Sequence, residues 1–149
     1  MTALKEIQER YAQYVESCRE LRASAGAFDG FLGLGHDPKK DSSHRIFYQD
    51  VERMTELLAA APAGPEKAEE LKEVTEFLLK AERRWAGETL AVWMCAAAQG
   101  HALKLIPLLS AQDAGELFAW YDENYPRRQR LPVQDQVYKA LRKQSKKGT

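Results

Sequence analysis

The stretch Leu90-Ala-Val-Trp-Met-Cys-Ala-Ala-Ala-Gln-Gly-His-Ala-Leu-Lys-Leu-Ile-Pro-Leu-Leu109 decides the fold of this chain. From about Glu88 to Ile106 it is apolar on nearly every face of a helix. Such a helix belongs at the centre of a bundle, where neighbours cover it on all sides. Its length raises the question of a membrane span. Gln99, His101, Lys104 and Pro107 argue against one, because polar groups and chain breaks are costly in hydrocarbon. A buried central helix is expected, with no membrane contact.

Five amphipathic segments surround it in sequence. Leu4, Ile7, Tyr11, Tyr14, Cys18 and Leu21 recur every three or four residues and place one seam on a helix from about Thr2 to Ser24. After a glycine-rich loop over 26–41, the seam His44, Phe47, Val51, Met54, Leu58 marks a second helix, with Asp41, Ser42 and Ser43 as N-cap candidates. Pro62-Ala-Gly-Pro65 is a turn signal, and Pro65 suits the first position of a third helix whose seam is Leu71, Val74, Leu78, Ala81, Trp85. Gly87 stops that helix. Pro107 closes the central one, and Ser110-Ala-Gln-Asp113 reads as the cap of a fifth helix that ends before Pro126. A sixth begins at Pro132, with Val133, Val137, Ala140 and Leu141 inward. No segment alternates polar and apolar residues at the two-residue period of a strand. The fold class is all-α: a single-domain bundle of about six helices around the central apolar one. The domain covers 1–143, and 144–149 form a loose basic tail.

The totals agree. At 149 residues the chain suits one domain, and 44% hydrophobic residues supply a core that a disordered chain lacks. Cys18 and Cys95 are too few for a disulfide scaffold, and Lys5, Glu6, Glu9 and Arg10 break any secretory apolar run, so a cytoplasmic location is expected. Acidic and basic residues balance at 22 each. That balance conceals a segregation. Residues 126–149 hold eight Lys or Arg against Asp135 alone, a net of +7, and residues 1–125 carry the opposite −7.

Candidate chemistry is sparse. His36, Asp37, Asp41 and His44 supply metal-ligand types within nine residues. Their spacing fits no di-metal bundle site, so Asp41 is better explained as a cap and His44 as a core residue. Cys95 sits in the most apolar helix, where a thiol is inert, and His101 lies on another face from it. Gly30-Phe-Leu-Gly33-Leu-Gly35 follows no strand and precedes no Lys-Ser/Thr, so it is not a phosphate loop. No catalytic set and no cofactor signature emerges.

Two features remain. Gln99, Gly100 and His101 interrupt the central helix, and with Trp93 they outline a pocket with polar handles; the plainer alternative is internal hydrogen bonding, with Gly100 a close-packing point. Arg127, Arg128 and Arg130, with Lys139, Arg142 and Lys143, form a basic patch. It suits an acidic protein partner or internal pairing with the acidic third helix. Trp120, Tyr121 and Tyr125 nearby would suit base stacking, but no recognised module frames them and the acidic remainder repels nucleic acid. A non-enzymatic helical interaction domain binding an acidic partner is the favoured function. A small-molecule or metal-binding domain comes second and a nucleic-acid accessory protein third. Oligomeric state is not fixed by the sequence.

Overall fold

The computed structural model describes residues 3–25, 38–84 and 92–147, with side chains described over 3–14, 16, 45–81, 97–128 and 130–147. Six α-helices follow one another: α1 (Ala3–Ala25), α2 (Pro38–Ala60), α3 (Pro65–Arg84), α4 (Val92–Leu105), α5 (Ala111–Asn124) and α6 (Pro132–Ser145). Short 3-10 turns at Ile106–Leu108 and Arg127–Gln129 flank α5, and no strand occurs among the described residues. No described helix is long and apolar enough to cross a membrane.

Over the described side chains, most of the predicted seam residues of α1, α2 and α3 are buried. Ile7, Tyr11 and Tyr14 of α1, Phe47, Val51 and Leu58 of α2, and Leu71, Val74, Leu78 and Ala81 of α3 are all buried. Tyr11 joins the three helices, its ring meeting Phe47 edge-on at 4.8 Å and Phe77 at 5.3 Å, an arrangement favoured by the aromatic quadrupole. Thr55 and Thr75 lie in the same core; each hydroxyl donates to the carbonyl four residues back, Val51 and Leu71, so neither is left unsatisfied.

Helix α4 packs on α2, α3 and α6, as a helix without a solvent face must. Ala98, Ala102 and Leu105 are buried along it, and Ile106 and Leu109 extend the buried row past Pro107. Among its described side chains Lys104 is the exposed one, and the ammonium reaches Glu52 of α2 at 3.4 Å.

Helix ends follow the capping rules. The Ser110 hydroxyl accepts from the Asp113 N–H at 3.1 Å, capping α5. At α6, Pro132 opens the helix and the Gln134 side chain accepts from the Leu131 N–H at 2.9 Å. Lys67, in the first turn of α3, donates to the carbonyls of Ala59 and Ala61 at 2.8 and 2.7 Å, satisfying the end of α2.

Two boundaries differ from expectation. Helix α2 starts at Pro38, not at Asp41–Ser43. Proline is favoured at a first helical position, because its missing N–H would have no helical acceptor there. Gln144, expected in the loose tail, is buried, its Nε2 donates to the Leu109 carbonyl at 2.6 Å, and α6 continues through Ser145. Of the stretch 26–41 expected as a glycine-rich loop, residues 26–37 lie outside the described residues, as does Gly87, while 38–41 belong to α2.

Truncating Leu105 tests the central position of α4. Leu105→Ala should cost roughly 2–5 kcal/mol, the range for fully buried leucines, read as a fall in the urea midpoint at unchanged slope.

Candidate functional site

Gln99 and His101 are both buried, at 1% and 2% exposure, but they face different neighbours. Gln99 turns toward α3 and α5. Its Nε2 donates to the Leu79 carbonyl at 3.3 Å, and its Oε1 accepts from the Tyr121 hydroxyl at 2.9 Å. The Tyr125 hydroxyl is a second donor to the Leu79 carbonyl, at 3.4 Å, and the Tyr121 and Tyr125 rings stack at 4.3 Å. Both ends of the Gln99 amide therefore have internal partners, as a buried amide requires. His101 turns instead to α2, with the Tyr48 ring at 4.7 Å. Burial, with the nearby Lys104 charge, pushes the imidazole pKa down to about 4 against the opposing pull of Glu52. His101 is thus a neutral core residue at neutral pH. Around Gly100, a Cβ would meet no atom within 4 Å among the described residues.

The Trp93 side chain lies outside the described residues, as do His36 and Asp37 entirely and the side chains of Asp41 and His44, which fall in α2. Among the described residues no cluster of three or more His, Cys, Asp or Glu could hold a metal.

The basic patch resolves into two populations. Arg130 is interior, its side chain only 5% exposed. The guanidinium lies 3.6 Å from the Tyr138 ring centre, Nε donates to the Tyr125 carbonyl at 2.8 Å, and the Nη groups face Asp122 and Asp135, each at 3.6 Å. It is a clamp that holds the turn after α5 against α6. Lys139 pairs with Asp135 at 3.0 Å, one helical turn away. Arg127, Arg128, Arg142 and Lys143 are exposed, and none has an ion-pair partner among the described residues. The acidic α3 does not neutralise them; its Lys72 pairs across to Asp113 and Glu116 of α5.

Members of both populations line one groove of about 550 Å³ between the 127–129 turn and α6. Arg127 and Pro132 flank it, Arg130 and Tyr138 lie along it, and Asp135, Lys139 and Arg142 follow one face of α6. Four cationic side chains meet one carboxylate there. Lys139 and Arg130 hold that carboxylate, Asp135, below its ordinary pKa, so it is ionised at neutral pH.

The aromatic residues that would suit base stacking are spoken for. Tyr121 and Tyr125 are buried, and the Arg130 guanidinium lies over Tyr138. Trp120 is half-buried in a second groove of about 690 Å³ between α1, α3 and α5. There the Lys80 ammonium lies 5.0 Å from its ring centre and donates to Glu76 at 2.8 Å. Charge counting located the patch but not the division within it. The i,i+4 spacing of Asp135 and Lys139 was the one legible signal of internal pairing.

Two measurements check these assignments. Arg130→Lys should destabilise the fold by roughly 1–3 kcal/mol in urea, because a point charge replaces neither the ring stacking nor the Nε hydrogen bond. His101 gives a pH signature. Unfolded, it takes up its proton near pH 6.5; folded, only near pH 4. Between those values the unfolded state binds more protons, so the fold weakens as pH falls, by roughly 3 kcal/mol once below the folded pKa, and this group costs the fold little above about pH 7. His101→Leu should flatten that slope in urea titrations run across the window, and the imidazole NMR resonances should titrate near pH 4.

Compared with known protein families, curated proteins and solved structures, the chain matches none.

Proposed function

We propose that this chain is a non-enzymatic helical interaction domain that takes an acidic segment of a partner protein into the groove between the 127–129 turn and α6. One observation carries this function: the groove gathers four cations against a single carboxylate, and Arg127 and Arg142 have no ion-pair partner among the described residues. Arg128 and Lys143, exposed beside it in sequence, add to the same field. Arg130 supports the site from beneath by fixing one wall, which keeps the cations from having to be ordered on binding. A protein partner is favoured over nucleic acid because, among the described residues, Tyr121 and Tyr125 are buried and Tyr138 lies under Arg130, so none of these rings beside the groove is free to stack on a base. Concentrating +7 in the last 24 residues steers an acidic partner to this end of the molecule. A cytoplasmic location belongs to the same proposal, because two cysteines in 149 residues are too few for the disulfide scaffold of a secreted domain.

The test uses a fluorescein-labelled oligoglutamate peptide and fluorescence anisotropy. Wild type should bind it, more weakly as salt rises through the screening range. Reversing Arg127, Arg128 and Arg142 to Glu should lower affinity roughly tenfold or more while leaving the urea midpoint in place, since these three are exposed. Arg130 is kept, because its loss would disturb the fold. Equal affinity of the reversed and wild-type proteins removes this groove from consideration. Tighter binding of a single-stranded oligonucleotide than of the peptide hands the groove to nucleic acid.

A further inference from the structure

Asp135 is the anomaly of the groove: a carboxylate in the middle of the surface that is proposed to attract carboxylates. Its Oδ2 lies 3.0 Å from Lys139 Nζ and its Oδ1 3.6 Å from Arg130 Nη1. Two cations of the groove therefore converge on one oxyanion position, and an internal side chain fills it. We propose that Asp135 is a built-in competitor, and that an acidic side chain of the partner takes its place between Lys139 and Arg130. This rests on the acidic-partner function of the groove and names the subsite within it.

The two contacts differ in quality. The Lys139 pair is short, but the lysine side chain is 74% exposed, where an ion pair contributes little. The Arg130 contact is longer than a hydrogen bond. A guanidinium held in place by Tyr138 and the Tyr125 carbonyl gains more from a carboxylate that reaches hydrogen-bond distance than from one at 3.6 Å. Asp135 is tethered to α6 and does not reach that distance; a free side chain has no such tether. With its side chain 42% exposed, Asp135 has room to rotate into water when displaced. Because Asp135 is ionised at neutral pH, the competition operates under ordinary conditions.

The fold supplies its own control. Asp122 faces the other Nη of Arg130 at the same 3.6 Å, is 55% exposed, and does not line the groove. Asp122→Asn and Asp135→Asn each remove one negative charge at 3.6 Å from Arg130, so the change in net charge is the same for both. Only Asp135→Asn removes the competitor.

The experiment measures oligoglutamate binding to the full chain by anisotropy, in wild type and in both variants. Asp135→Asn should tighten binding roughly fivefold, and Asp122→Asn less than about twofold. Asp135→Ala, which removes the oxygens altogether, should behave as Asp135→Asn, and urea midpoints show that each variant is folded. Equal gains in Asp122→Asn and Asp135→Asn overturn the competitor and leave the groove's function standing. Weaker binding by Asp135→Asn overturns it as well, since Asp135 would then be holding Lys139 and Arg130 in place for the partner. No binding by wild type or by any variant removes the acidic-partner function itself, and the competitor with it.

Discussion

The buried amide of Gln99 is the interaction on which the rest of the molecule depends. A primary amide inside an apolar bundle costs several kcal/mol, roughly, unless both its ends are bonded. Here they are, through the Leu79 carbonyl of α3 and the Tyr121 hydroxyl of α5. Apolar side chains tolerate small slips along a helix. A donor and an acceptor at fixed positions do not, so the amide sets the register of three helices at once. From there the order propagates outward. Tyr125 shares the Leu79 carbonyl, stacks on Tyr121, and offers its own carbonyl to Arg130. A polar chain thus runs from the centre of the bundle to the wall of the basic groove, and the rigidity of that wall originates in the core.

Charge in this molecule is sorted by length scale. Over the whole sequence it cancels, and over the two unequal segments it separates into −7 and +7. Within the basic segment it separates again. Arg130 and Lys139 are engaged by Asp122 and Asp135, while Arg127, Arg128, Arg142 and Lys143 extend into water. The engaged pair gives the surface its shape and the rest gives it its field. A patch made only of solvated lysines would have the field without the shape, and long mobile side chains lose more entropy when a partner orders them.

Helix-level organisation was legible because its signals are local. Pro65, Pro132, the Ser110 cap and the seam Leu71, Val74, Leu78, Ala81 each report on a few neighbouring residues, and each appears in the fold where the pattern puts it. The start of α2 was less legible, because Asp41, Ser42 and Ser43 all cap well and Pro38 competes with them through a different physical effect. Site-level facts were hidden for another reason. Gln99 in an apolar helix looks the same whether it faces a cavity or Tyr121, and the partner that distinguishes these lies 22 residues away. Arg130 counts as one positive charge in any sum, although Tyr138 beneath it and the Tyr125 carbonyl make it part of the interior. Gln144 sits among lysines in a polar run, and its acceptor, the Leu109 carbonyl, is 35 residues distant. Long-range pairing, not residue type, decides such cases.

Lys67 gives the corner between α2 and α3 an unusual economy. It lies in the first turn of one helix and closes the last carbonyls of the other across only eight and six residues of chain. Loop-closure entropy rises with the number of residues enclosed, so this is among the least costly tertiary contacts the chain can make. Contacts of short sequence separation form quickly. The α2–α3 hairpin can therefore latch before the distant partners of Gln99 and Gln144 have met, offering the apolar α4 a surface on which to condense early and shortening the time that its greasy faces stay open to aggregation.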